Sequence, residues 1–337
     1  MNFQEFKDKY QKKPVIEYPN NLREKGPLVS VRVISYNHAN FVRQCLDSIL
    51  AQKTTFDFEI VIAEDESSDG TREICIEYAQ KYPDKIRLLL NSRENNIEIE
   101  GKPTGLFNSV YSNFCISSKY ISLCETDDYW TDEYTLQKKV EFMERDKDCV
   151  LSYHRMTYYY ENTQQYDRTL PKIAKETSII PIDRFFDDVM PTLTIVYRNH
   201  LVEKYDDGMK NILCGDHILI GKLSEFGYAC YFHDIKPAIY RLHSGGVHST
   251  ASKKLQFERP MTAKKYVLEY LSERNKPNHH IHHAIATSYI RQFYQSLRDD
   301  KIVCWQYMKA GYVSAKKGGQ SVMSILFNLV INKLKSV

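Results

Sequence analysis

Leu123-Cys124-Glu125-Thr126-Asp127-Asp128-Tyr129-Trp130 is the stretch that decides how this chain is read. The apolar run Tyr120-Ile121-Ser122-Leu123-Cys124 stops abruptly at three carboxylates, the pattern of a buried strand that delivers acidic groups to its carboxyl end. Hard divalent cations prefer carboxylate oxygen, and Mg²⁺ usually takes one or two carboxylates together with phosphate oxygens and water. Glu125 and Asp127, two apart at such a strand end, can both turn toward one ion. Acidic residues in this position also make ordinary solvated turns, so the triplet takes its meaning from what surrounds it.

Upstream, short β-rich runs alternate with amphipathic helical ones, which predicts an α/β fold with a largely parallel sheet covered by helices. The predicted strands are Val29–Ser35, 58–63, Ile86–Leu90 and the run ending at the acidic cluster. Helices are expected through about 52, over 70–82 and over 104–117, with Phe41, Cys45, Leu46, Ile49 and Leu50 at helical spacing in the first. Ligands of such sheets bind outside the carboxyl ends of the strands. Here those ends carry Ser35-Tyr36-Asn37, Glu64-Asp65-Glu66-Ser67-Ser68-Asp69-Gly70, Asn91-Ser92-Arg93 and Glu125-Thr126-Asp127-Asp128. No G-x-G-x-x-G or Walker loop follows any predicted strand, which excludes the usual dinucleotide and triphosphate cradles. Phosphate binding must therefore rest on metal and side chains.

After 150 the pattern loosens through Tyr158-Tyr159-Tyr160 and a loop-like 161–168. It returns with a strand over 192–198, a helix over 214–226, strands Tyr228–Phe232 and Ala238–Leu242, and helices from 252 to the end. The expected organisation is an N-terminal extension (1–28), a catalytic domain (29–250) and a helical C-terminal region (251–337).

Length is ample for a sizeable core at 337 residues, and 42% hydrophobic with 26% charged residues describes an ordinary globular chain. A formal charge of +3, without basic runs interleaved with aromatics, argues against nucleic acid. Eight scattered cysteines without metal spacing, and an N-terminus lacking an apolar signal region, point to a reduced, cytoplasmic setting. No run reaches the roughly 18 apolar residues of a membrane span. Residues 320–337, apolar with flanking lysines, suit either an interfacial helix at the inner face of the cell membrane or a helix packed on the catalytic domain or a homodimer partner. His279-His280-Ile281-His282-His283 reads as an exposed helix start.

Taken in order, Val31-Arg32-Val33-Ile34-Ser35-Tyr36-Asn37, then Glu59-Ile60-Val61-Ile62-Ala63-Glu64-Asp65-Glu66-Ser67-Ser68-Asp69-Gly70-Thr71, then Cys124-Glu125-Thr126-Asp127-Asp128-Tyr129-Trp130 resemble the family 2 glycosyltransferases of GT-A fold over about 29–249. The resemblance implies a Rossmann-like mixed, mostly parallel sheet and inverting transfer from a nucleotide sugar, a UDP-sugar in many members, with Mn²⁺ or Mg²⁺. It implies base recognition by Asp65, with capping left to Asp69. It sets Ser35, Tyr36 and Asn37 along base and ribose, and pairs Arg93 with base or phosphate. Metal falls to Asp127, with Glu125 and Thr126 at the ribose or metal and Asp128 behind them. Glu125 departs from the aspartate common in relatives, and Ser118 from their glycine. Cys214-Gly215-Asp216-His217-Ile218-Leu219 resembles the segment of the catalytic base, implying Asp216; Tyr240-Arg241-Leu242-His243-Ser244-Gly245-Gly246-Val247-His248-Ser249 resembles the closing segment, implying His243 at the metal and Arg241 at the diphosphate. The innocent alternatives are a helix cap at Asp216 and a buried, hydrogen-bonded imidazole at His243. Thr192 and Thr194 fall where the family's acceptor region approaches the sugar, or are simply strand threonines. The acceptor implied is a glycan, lipid-linked or other hydroxyl in bacterial surface polysaccharide synthesis. A nucleotidyltransferase would need a glycine- and basic-rich loop that 35–40 lacks, and a catalytically silent binding protein fits poorly with Asp65, Asp127 and Asp216 kept together.

Overall fold

The first 28 residues contribute helix α1 (Phe3–Tyr10) and strand β1 (Ile16–Tyr18). Asn2 caps α1 by accepting the Glu5 N–H at 3.0 Å while the Glu5 side chain accepts the Asn2 N–H, a reciprocal capping box. Phe6 is fully buried beside Phe107 and Tyr205, so this segment is built into the body of the fold. The computed structural model describes residues 1–18, 26–99, 101–167, 177–186, 190–246, 251–296 and 301–325.

The predicted alternation follows as β2 (Val29–Ser35), α2 (Val42–Leu50), β3 (Phe58–Glu64), α3 (Thr71–Lys81), β4 (Ile86–Leu90), the short hairpin β5 (Glu98–Ile99) and β6 (Lys102–Pro103), α4 (Leu106–Cys115) and β7 (Tyr120–Glu125). β4, β3, β2 and β7 lie side by side and parallel, covered by helices on their faces. Their ends are in phase: Ser35 stands opposite Glu64, Glu64 opposite Leu90, and Ile34 opposite Glu125. Every loop that leaves these strands therefore starts from one edge.

Helix α5 (Thr135–Arg145) is followed by β8 (Cys149–His154), β9 (Met156–Tyr160), β10 (Gln165–Tyr166), β11 (Ser178–Ile180) and β12 (Val196–Arg198), and the later strands β13 (Tyr228–Phe232) and β14 (Ala238–Leu242) complete the sheets. The nine-stranded sheet runs β1-β4-β3-β2-β7-β12-β8-β13-β11, with β1, β12 and β11 antiparallel to their neighbours; β10-β9-β14 form a second, three-stranded sheet. This is the mixed, mostly parallel architecture expected. Two local readings are corrected. The stretch that looked loose after 150 holds β8, buried along its whole length, and β9. The strand expected over 192–198 is a 3-10 turn, Thr192–Thr194, followed by the three residues of β12, because Pro191 starts the segment without an N–H to give to a ladder.

Two compact units divide the chain: Met1–Ile180 with Met190–Asn211 and Phe226–Ser249, and Pro181–Val189 with Ile212–Glu225 and Thr250–Val337. The second contains α6 (Gly215–Leu223), α7 (Lys253–Glu273), α8 (His279–Ser296) and α9 (Lys301–Lys317), around Met261, Val267, Leu271, Ile281 and Ile285. In it the histidine run starts α8 as expected and His279 is exposed, but the rest of the run is not: His280 is 2% exposed and its Nε2 meets Ser224 Oγ at 3.1 Å, while His282 and His283 are half-buried. Of the segment 320–337, residues 326–337 lie outside the described residues, as do 247–249 of the closing segment. No helix among the described residues is long and apolar enough to cross a membrane.

Arg198 ties β7, β8 and the end of α5 together in the first unit. Buried at 4% exposure, it donates to the Cys149 carbonyl (3.0 Å), the Tyr120 hydroxyl (2.8 Å), the Asp146 carbonyl (3.0 Å) and the Met143 carbonyl. Replacing it with methionine keeps the bulk and strands those acceptors, each worth about 1–3 kcal/mol when buried and unpaired. Arg198→Met is expected to lower unfolding free energy by about 3 kcal/mol or more in a urea titration.

Candidate functional site

The ladder continues one residue past each strand and so pins the first residue of each loop. Asp65 N–H donates to the Ser35 carbonyl (3.0 Å), Asn91 N–H to that of Glu64 (2.9 Å) and Thr126 N–H to that of Ile34 (3.2 Å). The loop after β3 is braced further by fully buried Glu64, which accepts the Glu66 and Ser67 N–H groups (3.2 and 2.7 Å) and pairs with Arg72. Asp69 accepts the Thr71 N–H (3.0 Å) at the first residue of α3 and so serves the helix start as expected, although the N-cap position itself falls to Gly70.

At one end of this edge, Tyr36, Asp65 and Arg93 come together. The Arg93 guanidinium lies 3.9 Å from the centre of the Tyr36 ring and donates to Asp65 Oδ2 at 2.8 Å, and Asn96 Nδ2 approaches the same oxygen at 3.2 Å. Glu66 holds Arg93 in place by accepting its backbone N–H (2.6 Å) and the Ser92 hydroxyl (3.0 Å). Burial raises the Asp65 carboxyl to about 6, against the lowering pull of Asn96 and Arg93. A half-exposed aromatic face, a guanidinium and a carboxylate acceptor are the groups that grip a flat heterocycle by stacking and hydrogen bonding.

At the other end stands Asp127. His243 Nε2 lies 3.2 Å from Asp127 Oδ2 and His38 Nε2 3.9 Å from the same oxygen, and one ligand atom from each residue fits within 4.8 Å of the others. Donors bound at about 2.1 Å to one ion stand roughly 3–4 Å apart, so this spacing suits a shared divalent cation. The other carboxylate oxygen, Asp127 Oδ1, is buried and has no hydrogen-bond partner, an orphaned acceptor that a cation would satisfy. His38 Nδ1 meets the Thr126 hydroxyl at 2.7 Å; with the proton on Nδ1, the Nε2 lone pair faces Asp127. Burial lowers the His38 pKa more than Asp127 raises it. Burial alone would raise Asp127, but the His243 hydrogen bond and the His38 charge hold it below the usual carboxylate range. Uncharged imidazole and ionised carboxylate are the forms metal ligation requires. Gly245 N–H approaches His243 Nδ1 at 3.3 Å, a long contact that must loosen for Nε2 to become a ligand.

Behind Asp127, Asp128 accepts the Arg241 N–H at 2.9 Å, and burial and the neighbouring Asp127 charge push its carboxyl well up. The Arg241 side chain donates to the Asp127 carbonyl (2.9 Å), Glu161 (2.7 Å) and Gln44 (2.6 Å), with its guanidinium 4.7 Å from the centre of the Phe41 ring.

The sequence-selected residues thus sort by position. Tyr36, Asp65 and Arg93 form one cluster, and Asp127 and His243 another. Two expected ligand contacts have structural duties instead, since Ser35 and Thr126 are fully buried with their hydroxyls joined at 3.2 Å; Asn37 stays exposed, with its Oδ1 accepting the Ser68 N–H at 3.0 Å. Arg241 likewise braces the acidic loop. Thr194 cannot line an open surface, being 1% exposed with its hydroxyl donated to the Pro191 carbonyl (2.8 Å), whereas Thr192 is half-buried and Glu125 exposed. Asp216, in the second unit, is half-buried in the first turn of α6, and its Oδ1 accepts the His217 N–H at 2.8 Å. His38 and Asn96 were missed. For His38 the available signal was its place three residues past a strand end that already carried Tyr36.

Residues 30–201 match the family described as glycosyl transferase family 2. An uncharacterised protein of Mycobacterium tuberculosis is 31% identical over 230 residues, covering 68% of this chain and 63% of its own length, so the match spans less than two thirds of that relative. The putative teichuronic acid biosynthesis glycosyltransferase TuaG of Bacillus subtilis is 24% identical over 68% of this chain and 86% of its own. Among solved structures, S. aureus TarS 1-349 in complex with UDP-GlcNAc aligns with a TM-score of 0.59 at 18% identity, over 84% of this chain and 79% of that one. The mannosyltransferase PcManGT from Pyrobaculum calidifontis, in complex with GDP-Man and Mn²⁺, aligns at 0.51 and 14% identity over 98% and 86%. At these identities the structural likeness is one of fold.

Asp65 gives a stability test with a defined sign. A carboxyl raised to about 6 in the fold, against 3.8 for an aspartate free in solution, opposes folding once ionised; the penalty begins above pH 4 and is complete above pH 6. Asp65→Asn should therefore melt higher than the parent at pH 7, by up to about 3 kcal/mol, with the gain vanishing near pH 4. Thermal melts of both proteins from pH 4 to 8 measure it.

Proposed function

The chain belongs to glycosyl transferase family 2, and from that premise we propose that it is an inverting, metal-assisted transferase. In this reading it moves a sugar from a nucleoside diphosphate sugar, a UDP-sugar, to a hydroxyl of a glycan or lipid-linked acceptor in bacterial surface polysaccharide synthesis, at the cytoplasmic side. The observation that carries it is the Asp127 carboxylate, whose Oδ2 is approached by His38 and His243 while its buried Oδ1 is orphaned, on the same sheet edge as the Tyr36, Asp65 and Arg93 cluster.

Asp65 accepts a hydrogen bond from the base, whose plane lies along Tyr36, and Arg93 supplies a cation beside it. Glu125, exposed at the end of β7, reaches the ribose. Asp127, with His243 and His38, would hold Mn²⁺ or Mg²⁺; two imidazoles among three ligands favour Mn²⁺, since Mg²⁺ prefers oxygen. The ion, when bound, supplies Lewis-acid stabilisation of the charge that gathers on the departing diphosphate. Thr126 and Ser35 orient His38, and Arg241 keeps the Asp127 backbone in position. Asp216 takes the proton from the acceptor hydroxyl as its oxygen forms the new bond to the anomeric carbon and the bond to the diphosphate breaks. Thr192 lines the acceptor side.

Metal binding can be read without catalysis. Mn²⁺ at about a hundredfold above its dissociation constant stabilises a folded protein by about 2.7 kcal/mol. Mn²⁺ should raise the melting temperature of the parent, and Asp127→Ala and His38→Ala should each abolish most of that rise; an unchanged Mn²⁺ response in His38→Ala would remove it from the ligand set.

Catalysis separates from binding at Asp216. Asp216→Asn should retain affinity for the nucleoside diphosphate and lose about 10²–10⁴-fold in turnover, the usual worth of a general base. Incubation with a panel of nucleotide sugars and Mn²⁺ should release nucleoside diphosphate by slow donor hydrolysis. Release of pyrophosphate would mark a nucleotidyltransferase, and full activity in Asp216→Asn would end the base assignment.

A further inference from the structure

The last described helix, α9, has two faces of opposite character. Its inner face is small: Gly311, Ser314 and Ala315 are buried, and a Cβ on Gly311 would come within 3.1 Å of Ile290 on α8. Ala286, Ile290, Ala315 and Ile325 close the contact. The outer face carries Trp305 at 66% exposure and Tyr312 at 58%, with Lys309 and Lys316 exposed between and beyond them. At about 100° per residue these four fall within roughly 60° of helix circumference. Val313, 45% exposed, borders the stripe.

Large aromatic rings are usually turned inward, so two on one solvent-facing stripe beside lysines call for an occupant. The charge of the region says which. Residues 301–337 contain Lys301, Lys309, Lys316, Lys317, Lys333 and Lys335 and no aspartate or glutamate. The chain as a whole is nearly balanced, with 46 basic and 43 acidic residues, so this cationic bias is local. We propose that the outer face of α9 is a docking surface for an anionic lipid bilayer. Tryptophan and tyrosine sit at headgroup depth because one end of each ring system is apolar and the other polar, and lysines on the same face reach the lipid phosphates. Attachment through this face is electrostatic and interfacial and therefore salt-sensitive.

The chain's two tryptophans make the test direct. Trp130 is 4% exposed and its indole N–H is bonded to the Leu193 carbonyl, so a spectral change on adding vesicles reports Trp305. The full chain is sedimented with vesicles of phosphatidylglycerol or of phosphatidylcholine while tryptophan emission is followed. Expected are at least tenfold tighter binding to phosphatidylglycerol, a blue shift that Trp305→Phe eliminates, and release by high salt. Lys309→Glu with Lys316→Glu should weaken binding at least tenfold without changing the melting temperature, and Tyr312→Ser gives an independent check at an exposed position. Equal binding to both lipids, no binding to either, or undiminished binding of the lysine variant overturns the proposal. So does a blue shift that grows with protein concentration in the absence of vesicles, which assigns the face to a second copy of the chain.

Discussion

The candidate donor site depends on the in-phase ends of β2, β3, β4 and β7. Parallel strands with matched registers end together, and here the ladder runs one bond further, holding Asp65, Asn91 and Thr126 by their backbone N–H groups. A one-residue slip in β7 would exchange Thr126 for Asp127 at the buried position, because side chains alternate across a strand. The carboxylate would then enter the core and the hydroxyl would face the cleft. Burial of Cys124 and Leu123 on either face opposes any such slip, so the hydrophobic core sets the geometry of the polar edge.

From that edge inward, the site is organised as a layer of exposed and half-buried groups on a layer of buried ones. Tyr36, Arg93, Glu125, Asp127 and His243 meet the cleft; Ser35, Glu64, Thr126 and Asp128 lie beneath and fix them. Such backing keeps rotamers from wandering and lets the upper layer bind without reorganising first. The cost is visible at Asp65, whose carboxyl is kept partly desolvated beside Glu64 and Glu66. Folding alone would favour a neutral group there.

The main strands and helices between 29 and 125 were legible because period-2 and helical apolar patterns are bracketed by turn residues, whereas α1, β1 and the short β5–β6 hairpin carry too few residues to show a pattern. β8 was not: Cys149-Val150-Leu151-Ser152-Tyr153-His154 is buried on both faces, so no alternation marks it, and aromatic β9 follows after a single residue. In the site, Asp65 and Asp127 could be picked out because they end strands. His38 offered only its nearness to a strand end, because its placement depends on Asn37 adopting a left-handed φ of 54° beside it, with the imidazole meeting Thr126. Thr194 was misread because nothing local says that the turn begun at Pro191 is enclosed. Whether a polar side chain faces ligand or braces a neighbour is settled by distant contacts, as with Arg241, whose partners lie 80 and 197 residues away.

Arg241 also joins parts that could otherwise move separately. One side chain grips α2 through Gln44, the acidic loop through the Asp127 carbonyl and the hairpin side of the small sheet through Glu161, while its own strand carries the Arg241 N–H to Asp128. Mechanically, these form a single lever with its fulcrum at the guanidinium. The β9–β10 hairpin is bonded to the acidic loop a second time where the Tyr166 and Tyr129 hydroxyls meet at 3.0 Å, so hairpin and loop are held at two points rather than one.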